Sequence, residues 1–188
     1  MVEETRGKLI RAARKAFAEK GYVAASMDDL TANAGLTRGA LYHNFGDKKG
    51  LLQAVVDQID AEMLVRLEAE RDGAETLWLG LMAESVAYMR MALEPEIQRI
   101  MLLDGPAVLG DPSQWPSQNA CLQMTTEILQ RLIDEGTVRP VDAGAAARLL
   151  NGAALNASLW IAASDNPKEA FARSVEVFQL LANGLLQG

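Results

Sequence analysis

A single cysteine in 188 residues excludes an internal disulfide framework, and an aromatic share of only 5% disfavours a sheet, because strands draw on aromatic and β-branched side chains. The hydrophobic share of 49%, rich in Ala and Leu, suffices for a sizeable core and predicts an all-α protein. A net charge of −7 argues against nucleic acid until it is divided: residues 1–50 carry nine Lys/Arg against six Asp/Glu, which reads as a basic contact module on an acidic body.

Residues 5–20 set Leu9, Ile10, Ala13, Ala16 and Phe17 at helical spacing, with Lys8, Arg11, Arg14 and Lys15 off that stripe. The pattern predicts an amphipathic helix with a basic outer face, ended by Gly21. Ser26 stands three positions before Asp29, the arrangement of a capping box, so a second helix is expected to start there. Gly35 in "ANAGL" supplies the left-handed residue of a tight exit, and Thr37 can cap a third helix, "RGALYHNF", closed by Gly46. Asp47 caps a fourth that runs through Leu51, Leu52, Val55, Val56, Ile59, Met63 and Leu67 to about Gly73, where Gly50 is expected to cost about 1 kcal/mol relative to Ala. Two short helices joined by a glycine turn and packed on a longer first one form a helix-turn-helix.

Beyond Gly73, helices are predicted over 75–92, 95–103, 117–135, 142–163 and 167–186, while 102–116, with three prolines and two glycines, is expected to be largely irregular. The expectation is therefore a three-helix domain over 1–46 and a larger helical domain over 47–188, about nine helices in all. There is no apolar stretch of about 18 residues and no basic start before an apolar run. Neither a membrane span nor a signal peptide is expected, and the protein is placed in the cytoplasm.

The chemistry concentrates between residues 37 and 48. An α-helix fits the major groove of B-DNA and meets base edges through its amino-terminal residues, here Thr37, Arg38 and Gly39. Arg38 can give two parallel hydrogen bonds to guanine, and Gly39 lets the backbone come close. Tyr42 and His43, one turn on, can meet phosphate oxygens or a thymine methyl, and Lys48 can pair with a phosphate at the start of the fourth helix. Ser26, Thr5 and Arg6 are further phosphate candidates. His43 is the only histidine and has no ligand-spaced partner, so no metal, cofactor or catalytic role is expected. The lone Cys121, on an apolar helix, reads as a small core residue.

One such helix reads only a few base pairs, so a symmetric homodimer on a palindromic operator is expected. Leu149, Gly152, Ala153, Asn156 and Trp160 fall on one face of 142–163, and Phe171, Val175, Phe178, Leu181, Ala182 and Leu185 form a stripe in 167–186; both are candidates for the dimer interface. Between them and the head, Trp78, Met82, Tyr88, Met101, Leu103 and Trp115 are the preferred candidates for an apolar pocket.

Residues 5–52, "TRGKLIRAARKAFAEKGYVAASMDDLTANAGLTRGALYHNFGDKKGLL", resemble the amino-terminal DNA-binding domain of tetracycline-repressor-like (TetR family) transcriptional regulators. The AA/F/G pattern of the first helix, the "AGLTRGALYHNF" turn and recognition helix, and "DKKGLL" opening the fourth carry the resemblance. Thr31 stands where a small Ala is usual and Met27 where Thr is usual. The resemblance implies a ligand-responsive, usually repressing DNA-binding regulator with a phosphate role for Lys48. It also implies that 47–188 is an effector-binding and dimerisation domain, with a four-helix dimer bundle from the last two helices and their mates, and a small, largely hydrophobic effector that lowers operator affinity by swinging the fourth helix. The competing expectation is a helical interaction and dimerisation protein without effector control of DNA binding.

Overall fold

The computed structural model describes residues 2–187, and side chains from Glu4 onward. Among the described residues there are nine α-helices: α1 Val2–Ala24, α2 Met27–Ala34, α3 Arg38–Phe45, α4 Lys48–Asp72, α5 Leu77–Met91, α6 Gly105–Leu109, α7 Pro116–Asp134, α8 Ala143–Ala163 and α9 Pro167–Asn183. A π-helical segment, Ile97–Asp104, leads into α6, and a 3-10 turn, Pro112–Gln114, follows it. No described helix is long and apolar enough to cross a membrane.

Contacts divide the chain into two compact units. The first comprises the chain through Glu62 together with Pro95–Gly110. Its core takes Leu9, Ala13, Ala16 and Phe17 of the predicted α1 stripe, whose Ile10 is only half-buried, closed by Leu30, Leu41, Leu51, Leu52, Val55, Ile59 and Ile100, all buried. Helix α1 packs on α2, α3 and the π-helical segment. Arg14 ties α1 electrostatically to α4 and to the residue just before the π-helical segment. Its Nε donates to Glu96 Oε1 at 2.7 Å and its Nη1 to Glu62 Oε1 at 2.7 Å. This shared guanidinium holds the Glu62 carboxyl below its ordinary range.

Gly21 ends the first helical run as expected, with the non-helical φ 79° and ψ 164°, and a further helical turn to Ala24 follows the kink. The kink deprives the next amide of its place in the helical ladder, and the Asp104 carboxylate takes it: Tyr22 N–H donates to Oδ2 at 2.7 Å. Arg99 Nε donates to the same oxygen at 3.2 Å, and its guanidinium lies over Gly21 where a side chain would otherwise stand.

The expectation of an irregular 102–116 is overturned, and so is the ordinary α-helix over 95–103. The Gly105 amide bonds to Ile100 O five residues back, the π register, and Pro106, which has no amide, follows at once in the first turn of α6. Pro112 and Pro116 likewise open the 3-10 turn and α7. Both of these prolines stand at helix starts, where an amide would have no partner within the helix.

The second unit comprises Met63–Glu94 and the chain from Asp111 onward. Here α8 packs between α7, α9 and α5. Thr76, Asp142 and Asn166 cap α5, α8 and α9 through side-chain oxygens. The buried wall is aliphatic, with Leu129, Leu132, Ala147, Ile161 and Ala182. Glu84 is a buried acid within it, and Arg71 Nη1 donates to its Oε2 at 3.5 Å.

Candidate nucleic-acid interface

Local chemistry builds the α2–α3 pair. Ser26 Oγ accepts the Asp29 amide at 3.0 Å, starting α2. Thr31 is buried, and its hydroxyl donates to Met27 O at 3.0 Å and Asp28 O at 3.2 Å, which satisfies the polar group that replaces the usual Ala. Gly35 closes α2 at φ 66° and ψ 32°, in the left-handed region that favours glycine. Thr37 Oγ1 then accepts the Ala40 amide at 3.3 Å and starts α3. Only Leu41 of α3 is buried, which leaves Arg38, Gly39, Tyr42 and His43 exposed beside the exposed Thr37.

Gly50 corrects the expectation of a weakened fourth helix. A Cβ there would stand 2.1 Å from Phe45 O, so glycine is what lets the first turn of α4 come up against the end of α3. Asp47 Oδ1 accepts the Gly50 amide at 2.7 Å and caps that turn.

The cations of this region are not all free. Arg38 Nε donates to Asp28 Oδ1 at 2.6 Å and its Nη2 to Oδ2 at 2.5 Å. Lys48 Nζ lies 4.4 Å from the centre of the Tyr22 ring and donates to Val23 O at 3.4 Å. Partial burial there pushes its pKa down, against the attraction of Asp104. Arg6 Nη1 donates to Asn44 O at 3.2 Å with the guanidinium over the Phe45 ring, so this side chain braces the end of α3. Thr5 is half-buried near the start of α1, and Ser26 holds its cap.

The other candidates divide by burial. On α8, Leu149, Gly152, Ala153, Asn156 and Trp160 are all exposed, and Leu149 is open to 75%. On α9 the proposed stripe needs correction. Phe178 and Ala182 are buried inside the protomer, Phe171, Val175 and Leu185 are half-buried, and only Leu181 of that set is exposed. Val177 and Leu180, which the stripe omitted, are exposed instead, Leu180 to 73%. Of the pocket candidates, Trp78 and Met82 are buried on α5, Tyr88 OH receives the Gln118 Nε2 hydrogen bond at 3.4 Å, and Trp115 is half-buried, all in the second unit. Met101 and Leu103 belong to the π-helical segment of the first, Met101 buried and Leu103 exposed. Cys121 is half-buried on α7, where Asn151 Nδ2 donates to its Sγ at 3.6 Å.

A left-handed turn between two capped helices, presenting hydroxyl, guanidinium, phenol and imidazole from the start and outer face of the second, defines a helix-turn-helix DNA-binding protein. Residues 9–55 match the bacterial regulatory proteins of the tetR family, and residues 78–185 match the tetracyclin repressor-like C-terminal domain. A TetR-family transcriptional regulator from Pectobacterium atrosepticum, solved by crystallography, is 51% identical, with a TM-score of 0.91 over 100% of this chain and 96% of that one. The transcriptional repressor AcnR of Corynebacterium glutamicum is 29% identical over 72% of this chain and 69% of its own. The transcriptional regulator UidR of Escherichia coli K12 is 27% identical over 89% of this chain and 87% of its own. The chain belongs to the TetR family of transcriptional regulators, DNA-binding proteins rather than enzymes, whose members bind operators as homodimers and take small-molecule effectors.

Proposed function

We propose that this regulator is a homodimeric repressor that reads a palindromic operator through Arg38 and leaves it when a small, largely hydrophobic effector binds the helical body. The observation that carries the reading is the exposed edge of α3: a helix whose one buried side chain is Leu41 turns Thr37, Arg38, Gly39, Tyr42 and His43 outward. A helix that exposes this much polar surface and buries so little is built to be completed by another surface. Phosphate contacts from Lys48, Tyr42 and the start of α1 would set register, and Arg38 would carry sequence.

The exposed apolar face of α8 and α9 supports the homodimer. Leu149, Trp160, Leu180 and Leu181 stand in water at positions where a soluble monomer gains nothing from them. The buried Trp78 and Met82 with the half-buried Tyr88 and Trp115 support an apolar effector in the second unit. Repression follows the AcnR resemblance in name and the habit of the family.

Titration of duplex DNA at increasing salt tests the reading. Log affinity should fall steeply with log salt, and Lys48→Ala should flatten the slope by about one, the signature of one lost phosphate contact. A salt-independent affinity would remove phosphate contacts as the source of binding, and an unchanged slope in Lys48→Ala would remove Lys48 from the contact set.

A further inference from the structure

The Arg38–Asp28 pair joins the start of α3 to the start of α2, and its fork geometry is specific. A guanidinium has five N–H donors arranged along two usable edges. The side edge is Nε with the near hydrogen of Nη2, and the end edge is the far hydrogen of Nη2 with Nη1. Asp28 takes the side edge, since its two oxygens receive Nε and Nη2. The end edge stays unoccupied by that carboxylate, and it is a pair of parallel donors spaced for the O6 and N7 acceptors of guanine.

Stability does not account for this arrangement. The Arg38 side chain is 56% exposed and that of Asp28 72%, and ion pairs this open add little to folding. Nor does attraction to DNA, because a carboxylate beside the phosphates opposes it. What the pair does is fix the long Arg38 chain, whose rotamer freedom would otherwise let it swing to the nearest phosphate and lose sequence information. Asp29, the neighbouring acid, is engaged elsewhere: its carboxylate meets Lys20 at 3.3 Å and its amide meets Ser26.

We propose that Asp28 is a positioning residue for base recognition: by holding the side edge of Arg38 it presents the end edge to a guanine and confers guanine selectivity at one position of each half-site. The proposal rests on the reading of Arg38 as the base-contacting residue. It makes Asp28 a determinant of specificity that costs some affinity, because its charge opposes the DNA.

The test is selection of bound sequences from a pool of randomised duplexes by the full-length protein, by Arg38→Ala and by Asp28→Asn, followed by competition titrations on the selected consensus and its single-base variants. The wild-type consensus should contain an invariant guanine in each half-site. Arg38→Ala should lose that guanine while keeping the rest of the motif. Asp28→Asn, which keeps the size of the side chain and removes the second charged acceptor, should reduce the preference for guanine over the other bases there by about five- to tenfold, against the 5- to 150-fold span of a bidentate contact. Preferences elsewhere and the unfolding midpoint should stay unchanged, and Asp28→Glu should restore part of the selectivity. If Arg38→Ala selects the wild-type motif, the reading of Arg38 fails. If Arg38→Ala loses the guanine but Asp28→Asn keeps it at full strength, the role of Asp28 is overturned while Arg38 stands. Uniformly tighter binding by Asp28→Asn with unaltered base preference would likewise overturn it, leaving Asp28 as a repelling charge only.

Discussion

Two outward surfaces of this chain differ in what they leave unfinished. The edge of α3 exposes donors and one guanidinium whose charge is partly met by Asp28. The face of α8 and α9 exposes the apolar Leu149, Trp160, Val177, Leu180 and Leu181. The first surface has a strength set by ions in solution, and the second by area removed from water, so salt should separate them. Raising salt should weaken DNA binding steeply and leave self-association nearly constant.

The largest effect should come from Leu181→Asp. A two-fold interface repeats each change, and losing a buried Leu costs about 1.5–3 kcal/mol per copy, so self-association should weaken by about 100-fold or more. Sedimentation equilibrium reads it, and circular dichroism should show intact helices because Leu181 is 67% exposed in the protomer. An unchanged dimer constant would remove this face from the interface.

Gly50→Ala is next and tests the support of the α3 edge. Helix propensity alone predicts a gain of about 1 kcal/mol. The approach of Phe45 O to 2.1 Å of the added carbon predicts the opposite sign, a loss of about 1–3 kcal/mol in urea unfolding. A stabilised variant would mean that the end of α3 can retreat from α4 without cost.

The smallest effect concerns the buried acid of the second unit. Burial pushes the Glu84 carboxyl above its ordinary value of 4.5, with Arg71 pulling it back. The folded state therefore holds this proton more tightly than the unfolded one. The contribution is full below 4.5 and is lost as pH rises through the raised folded value. Glu84→Gln lacks it, so its stability relative to wild type, read by urea unfolding at each pH, should improve from acid toward neutral pH. A difference that does not change with pH would show that Arg71 cancels the burial.

The helices of the head were legible because each carries its own start and stop. Ser26, Gly35, Thr37 and Gly46 act on residues within four positions, which sequence displays directly. The segment before α6 was legible as a helix over 95–103, but its π register was not, because no spacing in the sequence displays the Gly105 amide bonding five residues back or Asp104 meeting Tyr22 from 82 positions away. Gly50 misled for the same reason, since its value lies in an approach rather than a propensity. On α9 apolar residues occupy both sides of the helix, so spacing alone could not separate the inward Phe178 and Ala182 from the outward Val177 and Leu180. Arg38 was picked out by its position; its tether to Asp28 links two helices and was visible only in three dimensions.

The Asp104 carboxylate that receives the Tyr22 amide sets a condition on any attempt to transplant the reading head. A fragment cut after the fourth helix would strand that amide at the Gly21 break and uncover the wall of α1 that Ile97, Ile100 and Met101 help to close. Chimaeras that exchange recognition helices between relatives should therefore carry residues 95–110 along with the amino-terminal segment. The graftable module is discontinuous in the gene, and a splice at a single junction would divide it.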